Sequence, residues 1–400
     1  PALSRGLGGL RPVPGQLGVR LALSRGAGRT SLPVPSTIAG AAIGVAALTA
    51  AIVFTASLTH LEATPRLYGV TWDANISNLA QEAGAAGVVP AIPAVARDPQ
   101  VGAWSAGFTG APLSVGGVPA GGMAMGAGHG GGVLPVPIEG RLPRRPDEVA
   151  LGARTLAAAR TRLGATVPVA LSSQRTVRFT VVGVAVFPQL SDELTLGRGA
   201  ALTVPGLKRL LPPGAHAPAY GTMLVRFRPG PPGGQAQLAS LQSRLGALGP
   251  YAVQPPGLPT DLVNFGQVHD LPLLLGGTLG GLALLTITHL LVTSVRRRRR
   301  DLAVLRTLGF TRGQVRVTVS WQAGTLVAAA LVIGVPVGIV AGRLAWQLFT
   351  AQLGILPVPV IPAATLGLLV PGALALAVAV AALPAEAAAS ARPAQVLRAE

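Results

Sequence analysis

Four stretches of this chain carry no Lys, Arg, Asp or Glu over 21 to 25 residues each: Ser36–Leu58, Leu271–Val295, Gln322–Gly342 and Ala363–Leu383. A helix needs about 20 predominantly apolar residues to cross the hydrocarbon of a bilayer. A buried core helix could account for any one of these stretches, but not for four of such length in one chain. Composition agrees. Of 400 residues, half are hydrophobic and 12% are charged, where soluble domains carry about 25% charged residues. The expected architecture is an α-helical membrane protein with four transmembrane helices and a large α+β extracytoplasmic domain inserted between helices one and two.

Charge sets the orientation, because Lys and Arg near the ends of spans stay in the cytoplasm. Residues 1–35 hold Arg5, Arg11, Arg20, Arg25 and Arg29 and no acid. Residues 296–321 hold eight arginines against Asp301, a net +7 in 26 residues. Residues 343–362 carry Arg343 alone. The long segment 59–270 holds 16 basic and 11 acidic residues, and segments of that length translocate largely regardless of charge. The expected organisation is therefore a cytoplasmic segment 1–35, a first span 36–58, an outer domain 59–270 and a second span 271–295. A cytoplasmic loop 296–321, a third span 322–342, a short outer loop 343–362, a fourth span 363–383 and a cytoplasmic tail 384–400 follow. The formal net charge of +18 belongs to this scheme rather than to nucleic-acid binding, since aromatics are scarce and no nucleic-acid motif is present. Arg296, Arg297, Arg298, Arg299 and Arg300 abut the second span directly. They anchor its inner end and can bind anionic lipid headgroups, at about 1 kcal/mol each.

Small residues mark helix-packing faces. Gly277 and Gly281 form a GxxxG pair in the second span, and Gly40 and Gly44 do the same in the first; such faces let helices approach closely in lipid. Pro336 and Pro371 remove backbone donors in the third and fourth spans. His289 reads as a hydrogen-bonding side chain near the interface rather than a proton-coupling site.

In the outer domain, Val133–Ile138, Thr176–Phe187 and Gly221–Phe227 read as strands. Asp147–Gly164 reads as a short turn into a helix, and Gly233–Gly249 as another helix. The Gly-rich run from Gly102 to Gly132 is expected to form loops and short strands. No catalytic set stands out. His60, His129, His216 and His269 lack metal-ligand spacing. The pairs Asp147–Glu148 and Asp192–Glu193 are expected in solvated turns. Gly126–Gly132 does not follow a strand and open a helix, and no Walker A motif exists, so the chain is not expected to be an enzyme or to bind a cofactor itself. It has no cysteine, which excludes disulfides and thiolate metal sites.

Behind the arginines, Leu302, Leu305 and Leu308 recur at helical spacing. Asp301 suits the positive end of a helix, and Gly309 is placed to stop it. The stretch DLAVLRTLGFTRGQV (Asp301–Val315) resembles the FtsX-like/MacB-like ABC transporter permease family, whose mark is E-[LI]-A-x-L-R-[AT]-[LI]-G-x-[ST]-R-x-Q. Here Asp301 replaces the usual Glu. Gly334–Trp346 and Arg392–Glu400 are further similarities, and IEGRLPRRPDEVALG (Ile138–Gly152) followed by Phe179–Val184 looks like the family's extracytoplasmic core domain.

The resemblance implies a type VII-like permease in the bacterial cell membrane, with both termini cytoplasmic. It implies a separate ABC ATPase subunit as partner, with ATP and magnesium bound there, and a second permease half in a homodimer or tandem pseudo-dimer. It also implies mechanical transmission through a stalk of spans one and two, in the service of export or extraction of a lipoprotein, peptide or drug. Asp301, Leu302, Leu305, Arg306, Leu308, Gly309 and Phe310 are the expected ATPase-docking residues. Because the chain opens on Pro1, and because of its Gly18–Thr30 lead-in, it is expected to be the second unit of a tandem permease. The alternative is a membrane-anchored sensor or regulator, of cell-wall hydrolases for example, without transport.

Overall fold

The computed structural model describes residues 15–16, 34–79, 89–130, 132–171, 175–189, 195–212, 220–231, 233–260, 262–263, 270–297 and 311–390. They fall into two compact units. One holds the chain up to Leu58, His269–Trp346 and everything from Pro359; the other holds Thr59–Val268 and Gln347–Val358.

The helical unit is built on α1 (Val34–Ala63), α6 (Leu271–Arg297), α7 (Arg312–Leu353) and α8 (Ala363–Ser390). All four are long and apolar enough to cross a membrane. Their apolar sequences leave no polar face, so packing and not amphipathicity decides which sides are covered. Ala41, Ala42, Ile287, Ala323, Leu326, Val327, Ala330, Ala377 and Ala381 form the core of this unit. Helix α7 does not stop near Gly342, where the apolar run ends, but runs on to Leu353, 42 residues in all. At 1.5 Å per residue that is about 63 Å, roughly twice a hydrocarbon thickness. It runs through Pro336.

The sheet unit contains ten strands: β1 (Ala74–Ser77), β2 (Val101–Val115), β3 (Val118–His129), β4 (Val136–Gly140), β5 (Glu148–Leu151), β6 (Thr166–Leu171), β7 (Thr176–Val186), β8 (Ala200–Thr203), β9 (Thr222–Phe227) and β10 (Ala252–Gln254). Its helices are α2 (Ala91–Ala96), α3 (Ala153–Ala158), α4 (Val204–Lys208) and α5 (Gly234–Gly246). The strand order is β10-β1-β9-β2-β3-β8-β5-β7-β4. Strand β6 pairs with both β7 and β2, so β2, β3, β8, β5, β7 and β6 close on themselves as a six-stranded barrel. Phe179, Leu151, Val169, Val115, Leu202 and Leu210 fill it. Outside the barrel, β10, β1, β9 and the first half of β2 carry α2 and α5 over a second core that includes Ile76, Met223, Trp104, Val95 and Leu241. Strand β2 serves both cores. Register shifts at Ser105/Gly107 and Thr109/Ala111 let it bend from one to the other.

Two expectations are corrected here. The run Gly102–Gly132 is not loops and short strands: it is the longest hairpin of the unit, β2–β3, turned by Gly116 and Gly117 at φ 58° and 85°. A two-residue turn with positive φ at both positions matches strand twist, and glycine takes it without steric cost. Weak β propensity is overridden because each strand is paired on both sides. Glu148, expected in a solvated turn, lies in β5 and is buried.

Candidate functional site

The region with the most specific sequence pattern is the segment between α6 and α7, expected on the inner side. Arg298, Arg299 and Arg300 and the expected docking residues Asp301, Leu302, Leu305, Arg306, Leu308, Gly309 and Phe310 lie outside the described residues. Arg296 and Arg297 form the last residues of α6. The described part resumes at Thr311, which opens α7 with a reciprocal cap. Gln314 N–H donates to Thr311 Oγ1 at 3.3 Å, and Thr311 N–H donates to Gln314 Oε1 at 2.8 Å. This is a capping box, which satisfies two otherwise orphaned donors. It gives a physical reason for a Thr and a Gln three residues apart behind the apolar run. The T-x-x-Q spacing was visible in the sequence, but its capping role went unread.

From this start, α7 runs against α1. A Cβ at Gly334 would come within 2.8 Å of Val45 Cβ, one at Gly338 within 2.6 Å of Thr49 Cβ, and one at Gly342 within 3.0 Å of Val53 Cβ. The i, i+4, i+8 glycines thus form a stripe on which α1 lies, backbone close to backbone. Beyond it, Trp346 is fully buried and meets Phe54 edge-on, with ring centroids 5.5 Å apart. The last turns of α7 and the residues after it belong to the sheet unit. Leu353 and Ile355 are buried, and Leu356 N–H donates to Leu67 O.

The glycines singled out from the sequence behave unequally. Gly44 sits directly on Ala283 and Leu279 of α6, and Gly276 on Leu48 and Ala51 of α1. Around Gly277, Gly281 and Gly40 there is open space. Gly277 and Gly281 instead line an apolar cavity of about 430 Å³ with Leu331 of α7 and Gly372 of α8. The α1–α6 contact therefore uses Gly44 and Gly276, not the Gly277–Gly281 pair. His289 is exposed on α6. Arg316 and Glu386 approach to 3.5 Å with both side chains more than half exposed, a pairing worth little.

In the sheet unit, the stretch Ile138–Gly152 is organised by one carboxylate. Glu148 receives both terminal nitrogens of Arg141, at 2.6 and 2.7 Å, and the backbone N–H groups of Arg144 and Arg145, at 2.8 and 3.1 Å. The Arg141 guanidinium, reinforced by those two N–H groups, holds the carboxyl down to about 2 from an ordinary 4.5, against the opposing effect of burial. With both oxygens engaged, Glu148 fastens the 141–147 loop to β5. Asp192 and Glu193 lie outside the described residues. The Gly126–Gly132 run ends β3 and does not open a helix.

Comparison with curated proteins gave no match. Residues 274–393 match the family model for the FtsX-like permease C-terminal domain. The match takes in nearly all of α6, the inner segment, the capping box, the glycine stripe of α7 and the whole of α8. Over this stretch the chain is similar to the C-terminal domain of FtsX-like permeases, and its four apolar helices are long enough to cross a membrane.

Proposed function

We propose that the chain is the permease subunit of a type VII-like ABC transporter in a bacterial cell membrane, with both termini in the cytoplasm and the sheet unit outside. A separate ATPase subunit grips the inner segment Asp301–Phe310, and a second permease half completes the assembly. ATP hydrolysis on the partner then moves the sheet unit mechanically, for export or extraction of a lipoprotein, peptide or drug.

The observation that carries this reading is the continuity of α7. One helix begins with a fixed cap directly behind the inner segment and ends among the buried residues of the sheet unit. A helix packed on glycines against α1 from Gly334 to Gly342 transmits displacement better than a flexible tether, because close-packed interiors yield little. The spans carry no ionisable residue except near their ends, which favours mechanical transmission over a hydrophilic conduit.

Docking through Leu302, Leu305 and Leu308 would contribute about 1.5–3 kcal/mol for each leucine buried. Leu305→Asp is expected to abolish co-purification of the ATPase subunit and its stimulation, while the chain still enters the membrane. Unchanged co-purification would refute the docking assignment.

A further inference from the structure

We propose that the sheet unit carries, at the outer end of α1, a binding cleft for the phosphate headgroup of an anionic membrane lipid. The cleft has a volume of about 560 Å³. One wall is the end of α1 and the 3₁₀ turn Pro65–Tyr68 that follows it; the other comes from β9 and the 132–137 segment. Ala63, the last residue of a helix long and apolar enough to cross a membrane, lines it. Its mouth therefore lies at the level where a span meets headgroups.

Two exposed arginines line the cleft, Arg66 on the turn and Arg226 on β9. Neither is paired with a carboxylate among the described residues. Asp73 also lines it, and one of its oxygens already accepts the Phe227 N–H at 2.8 Å, so the lining keeps a net positive charge. Beside the cations stand apolar surfaces of Val70, Trp72 and Leu134. Guanidinium next to apolar wall is the complement of a phosphate attached to a hydrocarbon body.

The cleft is also preformed. Gly69 N–H and Val70 N–H close the turn on Arg66 O and Pro65 O, Asp73 N–H binds Val225 O, and Thr71 Oγ1 donates to Leu134 O. Prolines at 65, 135, 137 and 256 stiffen the rim. Little ordering is left to oppose binding. The inference rests on α1 being a span, and not on the coupling to an ATPase.

The test uses the full chain in lipid nanodiscs containing phosphatidylglycerol with a photoreactive headgroup, or phosphatidylcholine of the same chain length and photochemistry. Phosphatidylglycerol is expected to label a peptide within Thr64–Asp73. Arg66→Gln with Arg226→Gln should lower that labelling roughly 30-fold, and each single change roughly fivefold. The double lysine variant should retain most of it. Soluble glycerol phosphate should not compete. Equal labelling by phosphatidylcholine, unchanged labelling of the double glutamine variant, or full displacement by glycerol phosphate would each overturn the proposal. Leu305→Asp, run alongside, should leave labelling intact, which separates this site from the docking assignment.

Discussion

Helices α1 and α7 differ from α6 and α8 in how they are held. Within the most apolar stretch of each, α1 and α7 are both 39% buried inside the chain, against 17% for α6 and 11% for α8. The first pair meets on three glycines and an aromatic contact. All four helices line a cavity of about 430 Å³, and α6 and α8 turn leucines such as Leu274, Leu282, Leu285 and Leu368 outward, as α7 does Val332 and Leu348. In lipid, hydrophobicity does not drive helices together, since the tails are as apolar as leucine; close packing does. Gly44 and Gly276 also bring α6 against α1, so the contrast is one of degree: α1 and α7 form the better-covered rod, and α6 and α8 turn more of their apolar surface outward.

The sharpest way to break that contrast is to put the same side chain on both sides of it. Gly338→Leu forces a side chain into Ala46 and Thr49 and should cost at the top of the roughly 1–3 kcal/mol typical of overpacking. Gly281→Leu enters open space and should change stability by no more than about 0.5 kcal/mol. Thermal melts of both variants in one detergent check this; equal losses would mean the two helix pairs are alike.

A second test asks whether the rod and the sheet unit are stabilised independently. Glu148→Ala strands Arg141 and two backbone N–H groups and should cost about 1–3 kcal/mol, read by tryptophan fluorescence melts, without altering the effect of Gly338→Leu. The pH dependence has a definite sign. A carboxyl held down to about 2 in the folded chain contributes stability that is complete above its ordinary 4.5 and is lost as pH falls through about 2. Acid destabilisation of the sheet unit over that window should flatten in the Glu148→Gln variant.

The smallest effect is expected at the start of the rod. Thr311→Ala removes half of the capping box and should cost about 1 kcal/mol. Amide exchange in the first turn of α7 should quicken, while exchange around Gly338 stays slow.

How much of this was legible in the sequence depends on the element. Long runs without charge announce a helix and its environment together, because a chain in hydrocarbon must satisfy its backbone within one segment. Strands β7 and β9 showed themselves through β-branched and aromatic residues. The hairpin β2–β3 did not: its glycines read as loop, and only pairing with β9, β6 and β8 makes them strand. Its SVGGVP turn held the one local clue. Glu148 was misplaced because nothing local reveals that Arg141 comes back to meet it.

The glycines draw the line most clearly. The sequence by itself determined that helices in this chain could approach closely and that arginines cluster beside some of their ends, since side-chain size and charge belong to the residue. Which glycines are used was decided only by the tertiary structure. Gly334, Gly338 and Gly342 are covered and Gly277 and Gly281 are not, because an absent side chain permits contact while a neighbouring helix must arrive to make it.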